Sequence, residues 1–152
     1  MELITQHQID HFLQGKTVAI IGASRNAKSF SAQVAKHLEQ RGYNLWYVNP
    51  NFEQTAPNSQ QVKSISKLPD SVKHAIVLTD KSLTEQVMLQ AIGKGIKNVW
   101  IQQQSETPHA LEMGIDNKLN MIHHQCIFMF TQPTGIHKFH RGIKQFFGGL
   151  PK

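Results

Sequence analysis

Cysteine is almost missing from this chain: Cys126 stands alone among 152 residues. A single thiol cannot close an internal disulfide, so nothing in the sequence calls for an oxidising compartment. Long apolar runs are also missing, and none approaches the roughly 20 residues that a membrane span needs. The opening stretch, MELITQHQID, carries Glu2 and Asp10 where a secretory leader would be basic and then apolar. Acidic residues are missing from the C-terminal end. All ten lie at or before Asp116, and Lys118, Lys138, Arg141, Lys144 and Lys152 follow them. The net charge of +6 is therefore concentrated at one end, which fits either a phosphate-bearing or otherwise anionic partner or a solvated basic face. There is no internal repeat, and no pair of carboxylates at helical spacing stands beside a glycine-rich loop. The expectation is one cytoplasmic globular domain, with no transmembrane segment and no nucleic-acid partner.

What is present is a regular alternation of strand and helix signals. DHFLQG closes a short N-terminal helix at Gly15, and KTVAIIG is a β-branched run of the kind buried on both faces of a parallel sheet. Residues 29–41 have Ser31, Val34, Ala35 and Leu38 at helical spacing, with Gly42 as the stop. NLWYVNP is the second strand, and residues 51–72 read as a polar connection. HAIVL is the third strand. Ser82 to Glu85 has the spacing of a capping box, opening a helix that turns Leu83, Val87, Ala91 and Ile92 inward. NVWIQ is the fourth strand. Thr107-Pro108 starts another helix, which Gly114 is expected to stop. LNMI is the fifth strand, and CIFMF either extends it or forms a sixth element. Strands separated by helices give right-handed crossovers and a parallel sheet with helices on both faces. The fold class is α/β, a Rossmann-like domain over residues 1–132 with a C-terminal basic appendage over 133–152.

The turn after the first strand, GASRNAKSFS, is the most informative stretch. Gly22, Lys28 and Ser29 fall in register with a nucleoside-triphosphate loop, but Ala27 occupies the second glycine position. The dinucleotide signature G-x-G-x-x-G is absent, and Asn49-Pro50 ends the second strand where an acid would hold a ribose. An anion still suits the turn. Gly22 admits close backbone approach, Ser24, Ser29 and Ser31 offer hydroxyls, and Arg25 and Lys28 offer positive charge at a helix N-terminus. None of these side chains suits general acid–base chemistry.

Over about residues 10–130 the chain resembles the stand-alone CoA-binding domain proteins, single Rossmann domains related to the CoA-binding domain of the succinyl-CoA synthetase α-subunit. The resemblance rests on G-A-S at residues 22–24, a basic turn, a helix ending in Gly42-Tyr43, and a strand ending Val48-Asn49-Pro50. It continues through SISKLPDSVKHAIVL and NVWIQ to Cys126, where the family also has a cysteine. It implies that CoA or acyl-CoA binds with Gly22, Ala23 and Ser24 along the diphosphate, Arg25 and Lys28 supplying charge, Asn49 and Pro50 beside the adenosine, and Thr79 facing the nucleotide across the crevice. Two positions depart from the family pattern: Asp80-Lys81 replaces an arginine-proline pair, and Gln104 replaces a glycine.

Three functional readings remain open at this point. The first is a small CoA-binding module without complete catalytic machinery. The second is an enzyme acting on CoA thioesters or another nucleotide, using Cys126 or a histidine. The third is a regulatory module whose basic tail meets an anionic partner. His123, His124 and Cys126 lack the spacing and the second cluster of a metal centre, so no metal is expected, and Cys126 reads as a buried structural residue. In the tail, Ile136, Phe139, Ile143, Phe146 and Phe147 form one helical stripe, expected to dock on the domain rather than on a membrane surface.

Overall fold

The computed structural model describes residues 4–52 and 60–131, so the tail stripe and the appendage over 133–152 lie outside the described residues. Strands β1 (Thr17–Ile21), β2 (Asn44–Val48), β3 (Gln61–Val62), β4 (His74–Val77), β5 (Asn98–Gln102) and β6 (Asn120–Gln125) form a single sheet in the order β3-β2-β1-β4-β5-β6. Every neighbouring pair is parallel. The helices are α1 (Gln6–Gln14), α2 (Phe30–Glu39), α3 (Thr84–Lys94), α4 (Pro108–Asp116) and the short α5 (Phe128–Thr131). This is the expected Rossmann-like architecture, and no helix among the described residues is long and apolar enough to cross a membrane.

Alternation along the central strands divides the core into two layers. Val18 and Ile20 of β1, Ile76 of β4 and Trp100 of β5 face α1, α2 and α5, where they meet Phe12, Val34, Leu38 and Phe128. Ala19 and Ile21, Ala75 and Val77, Val99 and Ile101 face α3 and α4, where they meet Met88, Ala91 and Leu111. A strand with both neighbours paired and both faces covered exposes almost nothing, which is why β1, β4 and β5 read as unbroken apolar runs.

Several expectations need correction. The connection after β2 is not purely irregular: Gln61 and Val62 pair with Tyr47 and Val48 as β3, and a 3-10 turn follows at Ile65–Lys67. The capping box at Ser82 does not form. Asp80 caps a 3-10 turn over Lys81–Leu83, and the Ser82 hydroxyl donates to the Asp80 carboxylate at 2.7 Å. As a result Leu83 is half-exposed and Met88 takes the buried place on α3. Gly114 does not end α4, which continues to Asp116. The residue is small for packing: a Cβ there would stand 2.6 Å from Met121 Sδ on β6. Of the two courses left open for CIFMF, the second holds, as a turn and α5 outside the sheet.

Candidate ligand-binding clefts

β1 and β4 lie side by side, yet the chain leaves β1 toward β2 and leaves β4 toward β5. The connections therefore part at the carboxyl ends of these two strands, and a crevice opens between them. Gly22 sits at its base with φ +91°, a left-handed conformation that side chains other than glycine's resist. A Cβ on Gly22 would stand 3.0 Å from the Leu78 carbonyl carbon and 3.0 Å from the Thr79 nitrogen. Glycine thus lets the turn after β1 lie directly against the turn after β4. The Val48 carbonyl holds it from the other side, accepting from Gly22 N at 3.0 Å and Ala23 N at 3.2 Å.

Beyond Gly22 the turn satisfies its own backbone. Ser24 N donates to the buried Ser31 hydroxyl at 2.8 Å, Asn26 N to Ser24 Oγ at 3.0 Å, and Lys28 N to Asn26 Oδ1 at 2.9 Å. Ser29 caps α2, its hydroxyl accepting from Ala32 N at 3.1 Å. These bonds leave Arg25 and Lys28 exposed on a braced loop. Ser29→Ala is expected to lower stability by about 1 kcal/mol, the usual worth of a serine cap. Urea denaturation checks this, and an unchanged midpoint would show that the cap contributes nothing.

Two clefts flank this crevice. The first, of about 510 Å³, is lined by Gly22, Asn49, Pro50, Lys63, Thr79 and Leu83 among others. The second, of about 460 Å³, lies toward β5 and β6 and is lined by Phe30, Leu78, Thr79, Lys81, Gln104 and Cys126 among others. Thr79 and Asp80 belong to both and form the wall between them. The Thr79 hydroxyl oxygen is buried without a hydrogen-bond partner. Asp80 is fully exposed, and its bonds from the Ser82 hydroxyl and backbone N–H hold its carboxyl below the usual range. The wall is therefore anionic, and exposed cations lie to either side of it at Lys63 and Lys81.

The structure brings Gly22, Asn49, Pro50 and Thr79 together in the first cleft. Ala23 and Ser24 instead line a smaller hollow, of about 230 Å³, against α2, with Lys36, Glu39 and Tyr47. The Tyr47 hydroxyl donates to the Glu39 carboxylate there, and burial together with that acceptor raises the phenol's pKa. Asn49 spends its amide on the protein itself, donating from Nδ2 to Ala23 O at 2.6 Å, so it ties the end of β2 to the turn. Cys126 is buried, as expected, but it also lines the second cleft. The sequence reading missed Lys63, Ser64 and Ile65, which enter the first cleft after β3, and Leu83, Gln86 and Gln90, which enter it from α3 and its approach.

Known proteins agree with this architecture. Residues 16–132 match the CoA binding domain family. The chain is 31% identical over 94 residues to the α subunit of ADP-forming acetate–CoA ligase II from Pyrococcus furiosus, covering 61% of this chain and 20% of that protein. It is 33% identical over 88 residues to ADP-forming acetate–CoA ligase II from Archaeoglobus fulgidus, covering 57% of this chain and 13% of that protein. The match thus spans a fifth or less of the length of these curated relatives. Among solved structures, Prb, a protein redesigned for binding, superposes with a TM-score of 0.75 at 23% identity, covering 86% of this chain and 94% of that one.

Proposed function

Because the chain belongs to the CoA binding domain family, we propose that it is a small CoA-binding module that seats CoA or acyl-CoA at the carboxyl ends of β1 and β4. The observation that carries this reading is Gly22, whose missing side chain lets the backbone of one turn lie against the other where two clefts meet. In this reading the diphosphate follows Gly22, Ala23 and Ser24. Arg25 and Lys28 reach it from the exposed loop, and the adenosine lies by Asn49 and Pro50 with Thr79 opposite. CoA suits such a site better than NAD does. Its 3′-phosphate and diphosphate call for cations and a helix N-terminus, whereas NAD calls for an acid at the ribose, the place that Asn49 takes. The Asp80 carboxylate repels phosphate from the wall between the clefts, which directs the phosphates toward the Arg25–Lys28 side.

Calorimetry with CoA, NAD and ATP tests the proposal. CoA is expected to bind most tightly, and NAD binding of equal strength would contradict it. Lys28→Ala is expected to weaken CoA binding by about 1–3 kcal/mol, the scale of a charge-assisted hydrogen bond. That difference should shrink as salt is raised, because the lysine is exposed. Unchanged affinity in the variant would move the phosphates away from this turn.

A further inference from the structure

At the carboxyl end of β6 the chain departs from regular strand geometry. The pairing of β5 with β6 shifts between Trp100 and Gln102, so that the segment from Ile122 to Gln125 carries one extra residue. His124 adopts φ +57° within this bulge. Consecutive strand residues normally point to opposite faces, but a bulge re-aims them. Here it brings the His123 and His124 rings to the same side, with centroids 4.9 Å apart and Nδ1 facing Nδ1 at 2.6 Å.

Glu106, on the loop after β5, addresses the other nitrogen of the same ring. Its Oε1 lies 3.5 Å from His124 Nε2, and its Oε2 accepts from His124 N at 3.4 Å. The carboxylate is itself held in place, accepting from Gln104 N at 2.9 Å, and its side chain is nine-tenths buried. A carboxylate beside Nε2 favours the tautomer that carries the His124 proton there and leaves Nδ1 as an acceptor. This carboxylate–histidine arrangement is the one that orients imidazoles bound to metals. In that tautomer, and with no ion present, Nδ1 accepts from the Nδ1–H of His123. When an ion arrives, the His123 proton moves to its own Nε2, and two Nδ1 lone pairs converge.

We propose that His123 and His124, oriented by Glu106, form a two-nitrogen chelate for a divalent transition-metal ion that favours tetragonal geometry, of the Cu²⁺ or Ni²⁺ type. Two imidazole nitrogens bound cis at roughly 2.0 Å each stand about 2.8 Å apart, whereas tetrahedral ligands stand about 3.3 Å apart. The observed 2.6 Å must open only slightly for the first and considerably more for the second. Among the described residues no set of three His, Cys, Asp or Glu side chains converges, so water completes the coordination. Glu106 is bonded to Gln104, which lines the second cleft, and this puts the ion beside the rim of that cleft.

The test is Cu²⁺ titration of the full chain, read by calorimetry and electron paramagnetic resonance. The background carries His11→Gln, His137→Gln and His140→Gln, which removes the neighbouring His7/His11 and His11/His74 pairs and the closely spaced pair in the tail. One equivalent should bind with hyperfine splitting from two nitrogens. Glu106→Gln, which keeps both imidazoles, should weaken binding about 10–100-fold. His124→Asn, chosen because asparagine tolerates positive φ, should remove the two-nitrogen signal. Single-nitrogen splitting, or Cu²⁺ affinity unchanged in both variants, would overturn the proposal.

Discussion

Trp100→Ala is expected to remove about 3–5 kcal/mol of stability, the range measured for deleting a large buried aromatic side chain. Trp100 sits at the middle of β5 with no exposed surface. Its ring meets Phe12 edge-on at 5.5 Å between centroids and Phe130 at 5.9 Å, so it joins α1 to α5 on one face of the sheet. Its Nε1–H donates to the Gln125 carbonyl at 3.0 Å, beside the strand end that carries Cys126. Alanine would leave a cavity that rigid strands cannot close and a buried carbonyl without its donor. A domain of this size has about 5–15 kcal/mol in all, so the variant should stand near the limit of folding. Urea denaturation should show a much lower midpoint at unchanged slope. Trp100→Phe keeps most of the packing and loses the N–H, so it should cost about 1 kcal/mol through that bond. A loss below 1 kcal/mol in Trp100→Ala would mean that α1 and α5 are not joined through this ring.

Gly22→Ala carries the second large effect and reaches both stability and binding. The left-handed backbone alone imposes roughly 1–3 kcal/mol on a residue with a Cβ. Crowding adds to this, because the new methyl would stand 3.0 Å from backbone atoms of Leu78 and Thr79, which cannot rotate away as a side-chain tip can. Gly42 supplies the control: its φ is +85°, and nothing lies within 4 Å of a Cβ built there. Gly42→Ala should therefore show the strain without the crowding. The excess loss in Gly22→Ala over Gly42→Ala measures how closely β1 and β4 must approach. CoA affinity should fall at least about tenfold, or 1.4 kcal/mol, in Gly22→Ala and stay at the wild-type value in Gly42→Ala. Equal behaviour of the two variants would remove Gly22 from the binding site.

The sequence made the central strands legible because burial on both faces writes an unbroken apolar run, as in VAII and VWI. It made Gly22 legible because a strand, a glycine, a short polar basic turn and a capped helix follow one another. β3 escaped notice because two residues have no periodicity of their own. Gln61 and Val62 are a strand only because the end of β2 offers them partners. Gly114 misled because glycine ends helices more often than it makes room, and the reason for it here, Met121 on β6, lies outside its own helix. Ser82 misled because Asp80, two residues earlier, takes both its N–H and its hydroxyl, the two groups that the box would have used. The first cleft was half legible. Residues that follow a strand directly could be placed, but Lys63 and Leu83 reach the cleft only through the three-dimensional packing of β3 and the turn before α3.

The central position of β1 sets an order of events when the chain first folds. Val18 pairs with Leu45 on one side and with His74 on the other. The first pairing closes a short loop around α2. The second must wait for a much longer stretch of chain and a larger loss of conformational freedom. A chain emerging from the ribosome can thus assemble β1, β2 and α2 while the far edge of β1 still has open hydrogen-bonding groups and the apolar surface of Ile20 and Ile21 beside them. Until β4 arrives, that edge can accept any strand, including one from another copy. Slow synthesis between residues 48 and 74 would lengthen this exposure, and fast delivery of β4 would end it.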